Sequence, residues 1–589
     1  MKKYLNYKTN LSLLIFRHKK TTRIKIVSKE RIIMNHSIAI TCVNSGTTKK
    51  VSKGTPLYQV IKEFGVKMNN PILGALVNNV LEELDFLVFH PISVQFIDIT
   101  HPDGMRMYVR SLSFILYKAL DELFPASHLR IDHSISKGIY CKVTAPDHCL
   151  SIQDVADIKK RMQEIVAADL PFIHVEEETE EVIRIFEAHG LTDKIDLLKH
   201  RGRNFSSYYK LDGHVDAFYG YMVPSTGYIK VFDLNKYFNG LLLQVPKTNN
   251  PSQVEPLVIQ NKLFEIFQEF SQWVKILDVP NISDLNNSCS NGKSEVLIKV
   301  AEALHEKKIG QIADKIRTRN NEVKIILISG PSSSGKTTFA KRLAIHLIVN
   351  GMKPHNLSLD NYFVDRDKTP LDENGNHDYE AVEALDIELF NQNLVSLLNG
   401  EKVEIPKFSF EKGTRFYDGE TLHMQPNNVL IIEGIHGLNP RLTNSIPPEA
   451  KFKIYVSALA AINIDDHNRV STTDNRLVRR IVRDYRYRKY SARETISRWP
   501  SVRKGEEKHI FPFQEEADIM FNSALLYELA VLKPFAEPIL LEVQPNQPEY
   551  SEATRLLSFF RYLKPLQPTQ IPPTSIMREF LGGSSFSYL

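Results

Sequence analysis

The chain has 589 residues, of which 42% are hydrophobic and 24% are charged, and its formal net charge is +5. This length is too great for one hydrophobic core, so we expect about three or four domains of ordinary globular composition. The small net charge does not identify a nucleic-acid binder, and no apolar stretch reaches the roughly 18 residues that span a bilayer.

Residues 1–34 hold ten Lys or Arg against one acid, Glu30, around a short apolar run. A signal peptide needs a longer apolar segment and a small-residue cleavage site. We therefore predict a disordered basic leader, in preference to a targeting or RNA-binding arm. Whether the true start is Met1 or Met34 stays open.

Residues 35–98 are predicted to form a compact β-rich domain. SIAITCV alternates like a strand, LYQVIKEFG fits a short amphipathic helix ended by Gly65, and GALVNNVLEELDF fits paired strands with a polar turn. This order resembles a TGS domain, a small ubiquitin-like β-grasp module found in threonyl-tRNA synthetases and some GTPases.

Residues 99–245, here called the synthetase-like region, resemble the second N-terminal domain of threonyl-tRNA synthetases. RSLSFILYKALDELFPASHLRIDHSISKGIYCKV and VDAFYGYMVPSTGYIKVFDL carry the resemblance. In the synthetases this α+β domain edits mischarged tRNA with an H-x-x-x-H pair and a C-x-x-x-H pair. These positions hold Arg110 and Phe114, then Phe218 and Met222. Because Phe and Met cannot bind Zn²⁺ in this manner or move protons, we expect the fold without the editing chemistry.

Residues 246–300 are predicted to be a helical connector. KLFEIFQEFSQWVKIL has aromatic and apolar residues at helical spacing, which favours core packing. A further helix, from about Glu295 to Arg319, leads to the next segment.

The segment GPSSSGKT matches the phosphate-binding loop pattern G-x-x-x-x-G-K-[ST]. An apolar run precedes it and a helical pattern follows it, which favours a P-loop over a Gly/Ser-rich turn. Loop N–H groups cradle phosphates, Lys336 supports the β- and γ-phosphates, and the Thr337 hydroxyl binds Mg²⁺. The predicted nucleotide-binding residues are Gly330, Pro331, Ser332, Ser333, Ser334, Gly335, Lys336, Thr337 and Thr338.

Strand and helix patterns alternate over residues 301–563, the P-loop region, and predict an α/β fold with a parallel sheet. Several strings here resemble the uridine kinase and phosphoribulokinase family. The chain is thus predicted to be a P-loop kinase preceded by a β-grasp domain and an α+β domain. PILLEV (538–543) fits a last core strand. Residues 564–589 form a tail in which Ser575–Gly582 fits a short helix that docks back, with no chemistry assigned.

The resemblance implies residues for catalysis and for binding the ribose. Asp360 in SLDNYF matches the family's catalytic aspartate, which accepts a proton from the acceptor hydroxyl; a helix N-cap is the alternative. Tyr362 is predicted to line the acceptor pocket. In HDYEAVEALD, Glu380 falls where the family's acid bonds the ribose hydroxyls and Tyr379 where a ring meets the base. A solvated acid at a helix start is the alternative for Glu380.

PKFSFEKGTR resembles the segment of the family that reads the base. Phe408, Phe410 and Arg415 fit or nearly fit this segment. The family's tyrosine is Phe408 here and its histidine is Gly413. Because two polar readers of the pyrimidine edge are lost, the identity of the base stays open.

The resemblance also implies a metal ligand and a cationic lid. The strand NNVLIIEGIHG ends in Glu433, which is predicted to hold Mg²⁺ directly or through water. DNRLVRRIVRDYRYRKY resembles the family's lid, in which Arg480, Arg483 and Arg488 clamp phosphates. Arg486 is the candidate to replace the last lid arginine. A nucleic-acid patch is the alternative for this cluster.

The implied activity is ATP- and Mg²⁺-dependent phosphorylation of the 5′-hydroxyl of a uridine- or cytidine-like nucleoside. Two alternatives stay open: a kinase for a sugar phosphate or another small molecule, with Lys407 and Lys412 as candidate binding residues, and an RNA- or ribosome-associated ATPase. The sequence gives no positive indication of an RNA partner. It is compatible with a homo-oligomer. The four cysteines lack C-x-x-C spacing, which favours a reducing, cytoplasmic location.

Overall fold

The computed structural model describes residues 37–587, except 147, 320–321, 373–374, 376, 410, 426 and 461. The predicted basic leader, residues 1–34, lies outside the described residues. The chain forms two compact units: one runs up to Val66 and includes Asp85–Val94, and the other comprises Lys67–Leu84 and the chain from Gln95 onward. In the described part of the chain, no helix combines the length and the apolar character that a membrane crossing requires.

The first unit combines short strands with one helix. Strand β1 pairs antiparallel with β2 and parallel with the start of β7. Helix α1 ends at Gly65, whose φ of 62° suits glycine and agrees with the sequence prediction. The elements are β1 Ser37–Cys42, β2 Thr47–Ser52, β3 Thr55–Pro56, α1 Leu57–Phe64, β6 Leu87–Val88 and the first three residues of β7, which runs over Ile92–Ile97. The predicted strand pair GALVNNVLEELDF is an antiparallel hairpin of β4 Gly74–Val77 and β5 Val80–Glu82 in the second unit.

The synthetase-like region is α+β, as predicted. Strands β13, β14, β9 and β8 form a four-stranded antiparallel sheet, and β10, β11 and β12 form a three-stranded one. Its elements are α2 Pro102–Leu123, β8 His128–Ile135, β9 Gly138–Thr144, α3 Ile152–Ala167, β10 Ile173–Glu178, α4 Thr179–Ala188, α5 Thr192–Arg201, β11 Phe205–Leu211, β12 His214–Asp216, β13 Asp233–Tyr237 and β14 Gly240–Gln244.

The connector is helical, as the periodicity predicts. Phe264, Phe267 and Val274 are buried along the apolar face of its first helix. The three helices are α6 Asn261–Leu277, α7 Ile282–Ser290 and α8 Ser294–Thr318.

The P-loop region is built on a five-stranded parallel sheet of order β16-β21-β15-β22-β25. Its central strand β15 is buried along its whole length, which explains the uninterrupted apolar sequence. The sheet strands are β15 Ile325–Ser329, β16 Lys353–Ser358, β21 Asn428–Glu433, β22 Lys451–Ser457 and β25 Ile519–Asn522. Short pairs are β17 Lys402–Glu404 with β20 Thr421–His423, β18 Lys407–Ser409 with β19 Thr414–Phe416, and β23 Asn463–Asp465 with β24 Asn468–Arg469.

Helices lie between these strands in the sequence and follow the last of them. They are α9 Lys336–Val349, α10 Ile387–Leu398, α11 Thr472–Arg488, α12 Ala492–His509, α13 Glu528–Leu541, α14 Tyr550–Phe560 and α15 Arg578–Leu581. The prediction of a last strand over 538–543 is wrong, because this stretch ends helix α13 and the last sheet strand is β25. The tail docks back as predicted, although its helix has only one turn.

The β23–β24 hairpin of the P-loop region inserts into the synthetase-like region. Lys194 Nζ lies 2.9 Å from Asp216 and 2.8 Å from Asp465, and all three side chains are buried. His467 Nδ1 lies 2.6 Å from the Asp216 carboxylate. Buried charges of opposite sign thus join the two regions.

Candidate active site

The P-loop connects β15 to α9, and its glycines are required by close packing and backbone conformation. A Cβ on Gly330 would lie 1.9 Å from the Val456 carbonyl oxygen, and Gly335 has a φ of 80°. Lys336 Nζ donates to the carbonyl oxygens of Gly330, at 2.9 Å, and Pro331, at 3.2 Å. The lysine ammonium therefore lies across its own loop, and burial lowers its pKa although Glu433 and Asp360 oppose the shift.

Glu433 lies at the carboxyl end of β21, in register with Ile328 of β15. Its Oε1 accepts from Thr337 Oγ1 at 3.3 Å and from Ser358 Oγ at 3.4 Å. Burial, followed by the nearby Asp360 carboxylate, raises the pKa of Glu433 to about 7, and Lys336 acts in the opposite direction. Thr337 and Glu433 are thus brought together as the sequence predicts, and offer the oxygen ligands that Mg²⁺ prefers.

Asp360 lies in a 3₁₀ turn, Leu359–Tyr362, that follows β16. The cap of this turn is the Ser358 hydroxyl, which accepts from the Asp360 N–H at 3.3 Å, so Asp360 is not an N-cap residue. Asp360 is exposed to solvent, but nearby protein atoms desolvate its carboxylate enough to raise its pKa. Lys336 and two lid arginines oppose the shift, and therefore lie near this carboxylate.

The predicted acceptor residues are placed differently from one another. Glu380 is half-buried beside the P-loop, where burial and Glu506 raise its pKa to about 7 and Arg480 opposes the shift. Its side chain packs against Gly505, where an added Cβ would lie 2.3 Å from Glu380 Cβ. The Tyr379 ring is 46% exposed and is available to a ligand.

Tyr362 does not line an open pocket. Its side chain is fully buried, its ring packs on Phe390 at 5.1 Å, and its hydroxyl accepts from Asn393 at 3.2 Å. The Tyr362 side chain is therefore part of the hydrophobic core beneath the site, whereas the sequence predicted that it would line the acceptor pocket.

The base-reading segment is a short antiparallel pair, β18 with β19. Phe408 is half-buried and packs on Phe363 at 5.6 Å. The Arg415 guanidinium donates to Asp386 at 2.9 Å, so that its orientation is fixed. Phe410 lies outside the described residues.

The predicted lid arginines surround one buried carboxylate, Asp484, which the sequence prediction did not identify. Arg483 donates to it at 2.8 Å, and Arg480 and Arg488 lie 3.2 and 3.6 Å from it. Arg480 also donates to Ser332 Oγ of the P-loop at 2.8 Å. The three guanidinium groups are therefore held together beside the phosphate-binding loop.

Glu506 is a second residue that the sequence prediction missed. It is fully buried, accepts from the Ser332 N–H at 3.0 Å and forms a bidentate pair with the buried Arg476. Arg476 thus supports the loop through Glu506. The only sequence signal for Glu506 is its i, i+3 spacing from Arg503 on α12, and this spacing is not specific for a functional site.

The P-loop region is similar to proteins of a known family. Residues 325–527 match the model of the Phosphoribulokinase / Uridine kinase family. A uridine kinase of Staphylococcus epidermidis is 31% identical over 204 residues, which cover 34% of this chain and 87% of that protein. The chain belongs to the phosphoribulokinase/uridine kinase family.

Two further similarities are weaker. A threonine–tRNA ligase of Aquifex aeolicus is 28% identical over 192 residues, or 32% of this chain and 30% of the ligase. The solved structure of a possible uridine kinase from Bacillus stearothermophilus is 19% identical and covers 34% of this chain and 89% of that chain, with a TM-score of 0.23. A TM-score this low supports no conclusion. The ligase similarity is partial, and the TGS assignment stays a prediction.

Outside the kinase-family region, three of the four positions aligned with the editing residues form part of an apolar core. The Phe114 and Phe218 rings lie 5.6 Å apart, and Met222 is buried beside them in the same core. Arg110 donates to the Tyr221 carbonyl oxygen at 2.9 Å. Among the residues that the structure describes, no three or more His, Cys, Asp or Glu side chains are grouped to hold a metal ion.

Proposed function

We propose that the chain is an ATP-dependent kinase that transfers the γ-phosphoryl group of ATP to the 5′-hydroxyl of a nucleoside. The observation that carries the proposal is the meeting of Lys336 and Thr337 of the P-loop with Asp360 and Glu433. A candidate base, a cation and two oxygen ligands for a metal ion thus lie together at the phosphate-binding loop. Family membership supports the same reaction class.

The proposed reaction is a direct transfer of the γ-phosphoryl group from ATP to the acceptor hydroxyl. The acceptor oxygen forms a bond to the γ-phosphorus, the bond from that phosphorus to the bridging oxygen breaks, and ADP leaves. Asp360 takes the hydroxyl proton, a role that its raised pKa favours. Lys336 and the three lid arginines stabilise the charge of the transferring group.

The metal site consists of oxygen donors. Thr337 and Glu433 would hold Mg²⁺, with water completing the ligand set. When bound, the ion neutralises charge on the β- and γ-phosphate oxygens.

A nucleoside fits the acceptor side better than a sugar phosphate does. In this proposal Glu380 accepts hydrogen bonds from two neighbouring ribose hydroxyls, and Tyr379 and Phe408 offer aromatic surfaces for a base. A sugar phosphate requires a cation for its phosphate, and one of the two candidate lysines, Lys407, is already paired with Asp418 at 2.7 Å and Glu420 at 2.9 Å.

We propose that the synthetase-like region supports or regulates the kinase and has no editing activity. The inserted β23–β24 hairpin and the buried ion pairs of Lys194 support this role. We place the reaction in the cytoplasm, since the four cysteines are free thiols, as a reducing compartment maintains them.

An acceptor screen tests the proposal. Purified full-length protein with ATP and Mg²⁺ is assayed for ADP release with nucleosides, with sugar phosphates, with tRNA and without an acceptor. We expect turnover with nucleosides alone. Turnover that only a sugar phosphate or tRNA stimulates would refute the nucleoside assignment.

A further inference from the structure

The tail segment, residues 575–583, is held beside the P-loop by apolar contacts. Ile576, Met577 and Phe580 are fully buried, and the Arg479 guanidinium lies 5.0 Å from the centre of the Phe580 ring. The Ser575 hydroxyl donates to the buried Glu302 at 2.5 Å. These contacts fix the backbone of the segment through side chains other than Glu579.

The tail segment touches the P-loop itself. A Cβ added to Gly335 would lie 2.6 Å from Ile576 Cγ2, so the loop and the tail are in direct contact. The Arg486 guanidinium lies equally close to the position of a Cβ on Gly582. Arg486, the sequence's candidate for a lid arginine, therefore lies against the tail.

Glu579 places a carboxylate on a phosphate-binding donor. Its Oε2 accepts from Thr338 Oγ1 at 2.6 Å and from the Thr338 N–H at 3.4 Å. This N–H belongs to the first turn of α9, where the backbone of a P-loop donates to nucleotide phosphates. The carboxylate therefore occupies a position where a phosphate oxygen would be bound.

We propose that Glu579 is an internal competitor of the nucleotide, and that the tail segment restrains the kinase. Two anions cannot share the same donors, so the nucleotide binds only after the carboxylate has rotated away. The apolar anchors allow this rotation without undocking the tail. The apparent dissociation constant is then raised in inverse proportion to the fraction of molecules in the open form.

This inference rests on the proposed function, because it requires nucleotide binding at the P-loop. The test is calorimetric titration of the full-length protein with ADP and with ATP in the presence of Mg²⁺. The variants are Glu579→Ala, which removes the carboxylate, and Glu579→Gln, which keeps its shape and removes its charge. Glu401→Gln makes the same change at an exposed site between α10 and β17 and is the control.

We expect both Glu579 variants to bind nucleotide about tenfold more tightly than the wild type, the factor for a site that is open in one molecule in ten. The control is expected to match the wild type. Unchanged affinity would overturn the competition, and weaker affinity would mean that Glu579 helps to bind the nucleotide. A melting curve identifies a variant that fails to fold, and Glu579→Gln then decides.

The outcomes separate the two proposals. Tighter binding without phosphoryl transfer to any nucleoside would support the competitor and refute the nucleoside kinase. Phosphoryl transfer with unchanged affinities would refute only the competitor. A wild type and variants that all fail to bind nucleotide would overturn both.

Discussion

The Thr337 hydroxyl donates to Glu433 Oε1 over 3.3 Å, which joins the P-loop to the end of strand β21. Because this pair is the proposed Mg²⁺ site, Glu433→Gln is expected to raise the Mg²⁺ concentration for half-maximal turnover by about tenfold or more through the loss of a charged oxygen ligand. Turnover measured over a Mg²⁺ titration checks this, with Glu401→Gln as the control. An unchanged Mg²⁺ dependence would contradict the assignment.

Asp360→Asn keeps the shape of the side chain and removes the proton acceptor. We expect kcat to fall by about 10²-fold or more, because general-base catalysis contributes this much, while ATP affinity changes little. Steady-state kinetics together with calorimetric ATP binding separate the two effects. If ATP binding collapses and kcat survives, Asp360 serves the metal or the fold instead.

Lys194→Met is expected to destabilise the junction between the synthetase-like and P-loop regions. The substitution leaves the Asp216 and Asp465 carboxylates buried without their cation, which costs about 3–5 kcal/mol. Thermal unfolding measures the loss. Lys159→Met breaks a partly exposed pair with Asp233 and is the control, with an expected effect below about 1 kcal/mol. Equal effects of the two substitutions would contradict a structural role for the junction.

The folded protein is expected to lose stability in acid because of His305. It is buried, its Nε2 donates to the Ala524 carbonyl oxygen at 3.1 Å, and burial lowers its pKa to about 3. A depressed histidine pKa means that the folded state keeps the neutral ring while the unfolded state gains a proton below about pH 6.5. The contribution is therefore complete above that pH and falls by about 1.4 kcal/mol per pH unit as the pH drops from about 6.5 towards 3.

His305→Gln removes this titration and keeps an N–H donor. Its free energy of unfolding is expected to fall less steeply than that of the wild type between pH 7 and pH 5, as urea unfolding would show. Parallel pH profiles for the two proteins would contradict the explanation.

The phosphate-binding loop and its strand-end acid were predictable because their signals are local. A glycine pattern between an apolar strand and a helix determines the loop, and an apolar run that ends in an acid places Glu433 at the edge of a parallel sheet. Helix α6 and the turn at Gly65 were predictable for the same reason.

Other features depend on contacts between distant parts of the chain. The stretch 538–543 is short and apolar, a pattern common to buried strands and helices. Tertiary packing maintains helix α13 although Pro534 and Pro538 lie within it. Glu579 lies 241 residues from Thr338, and nothing in its local sequence indicates that the two meet. Tyr362 matches a family position, yet only the structure shows that its ring is buried.

The most direct test of the central claim is transfer of the terminal phosphoryl group of radiolabelled ATP to uridine and cytidine by full-length protein and by Lys336→Ala. We predict that the wild type forms a labelled nucleoside 5′-monophosphate and that Lys336→Ala remains folded but forms almost none, because the lysine charge acts on the phosphates and not on the core. Near-normal transfer by Lys336→Ala, or labelled phosphate released to water alone by the wild type, would contradict the account.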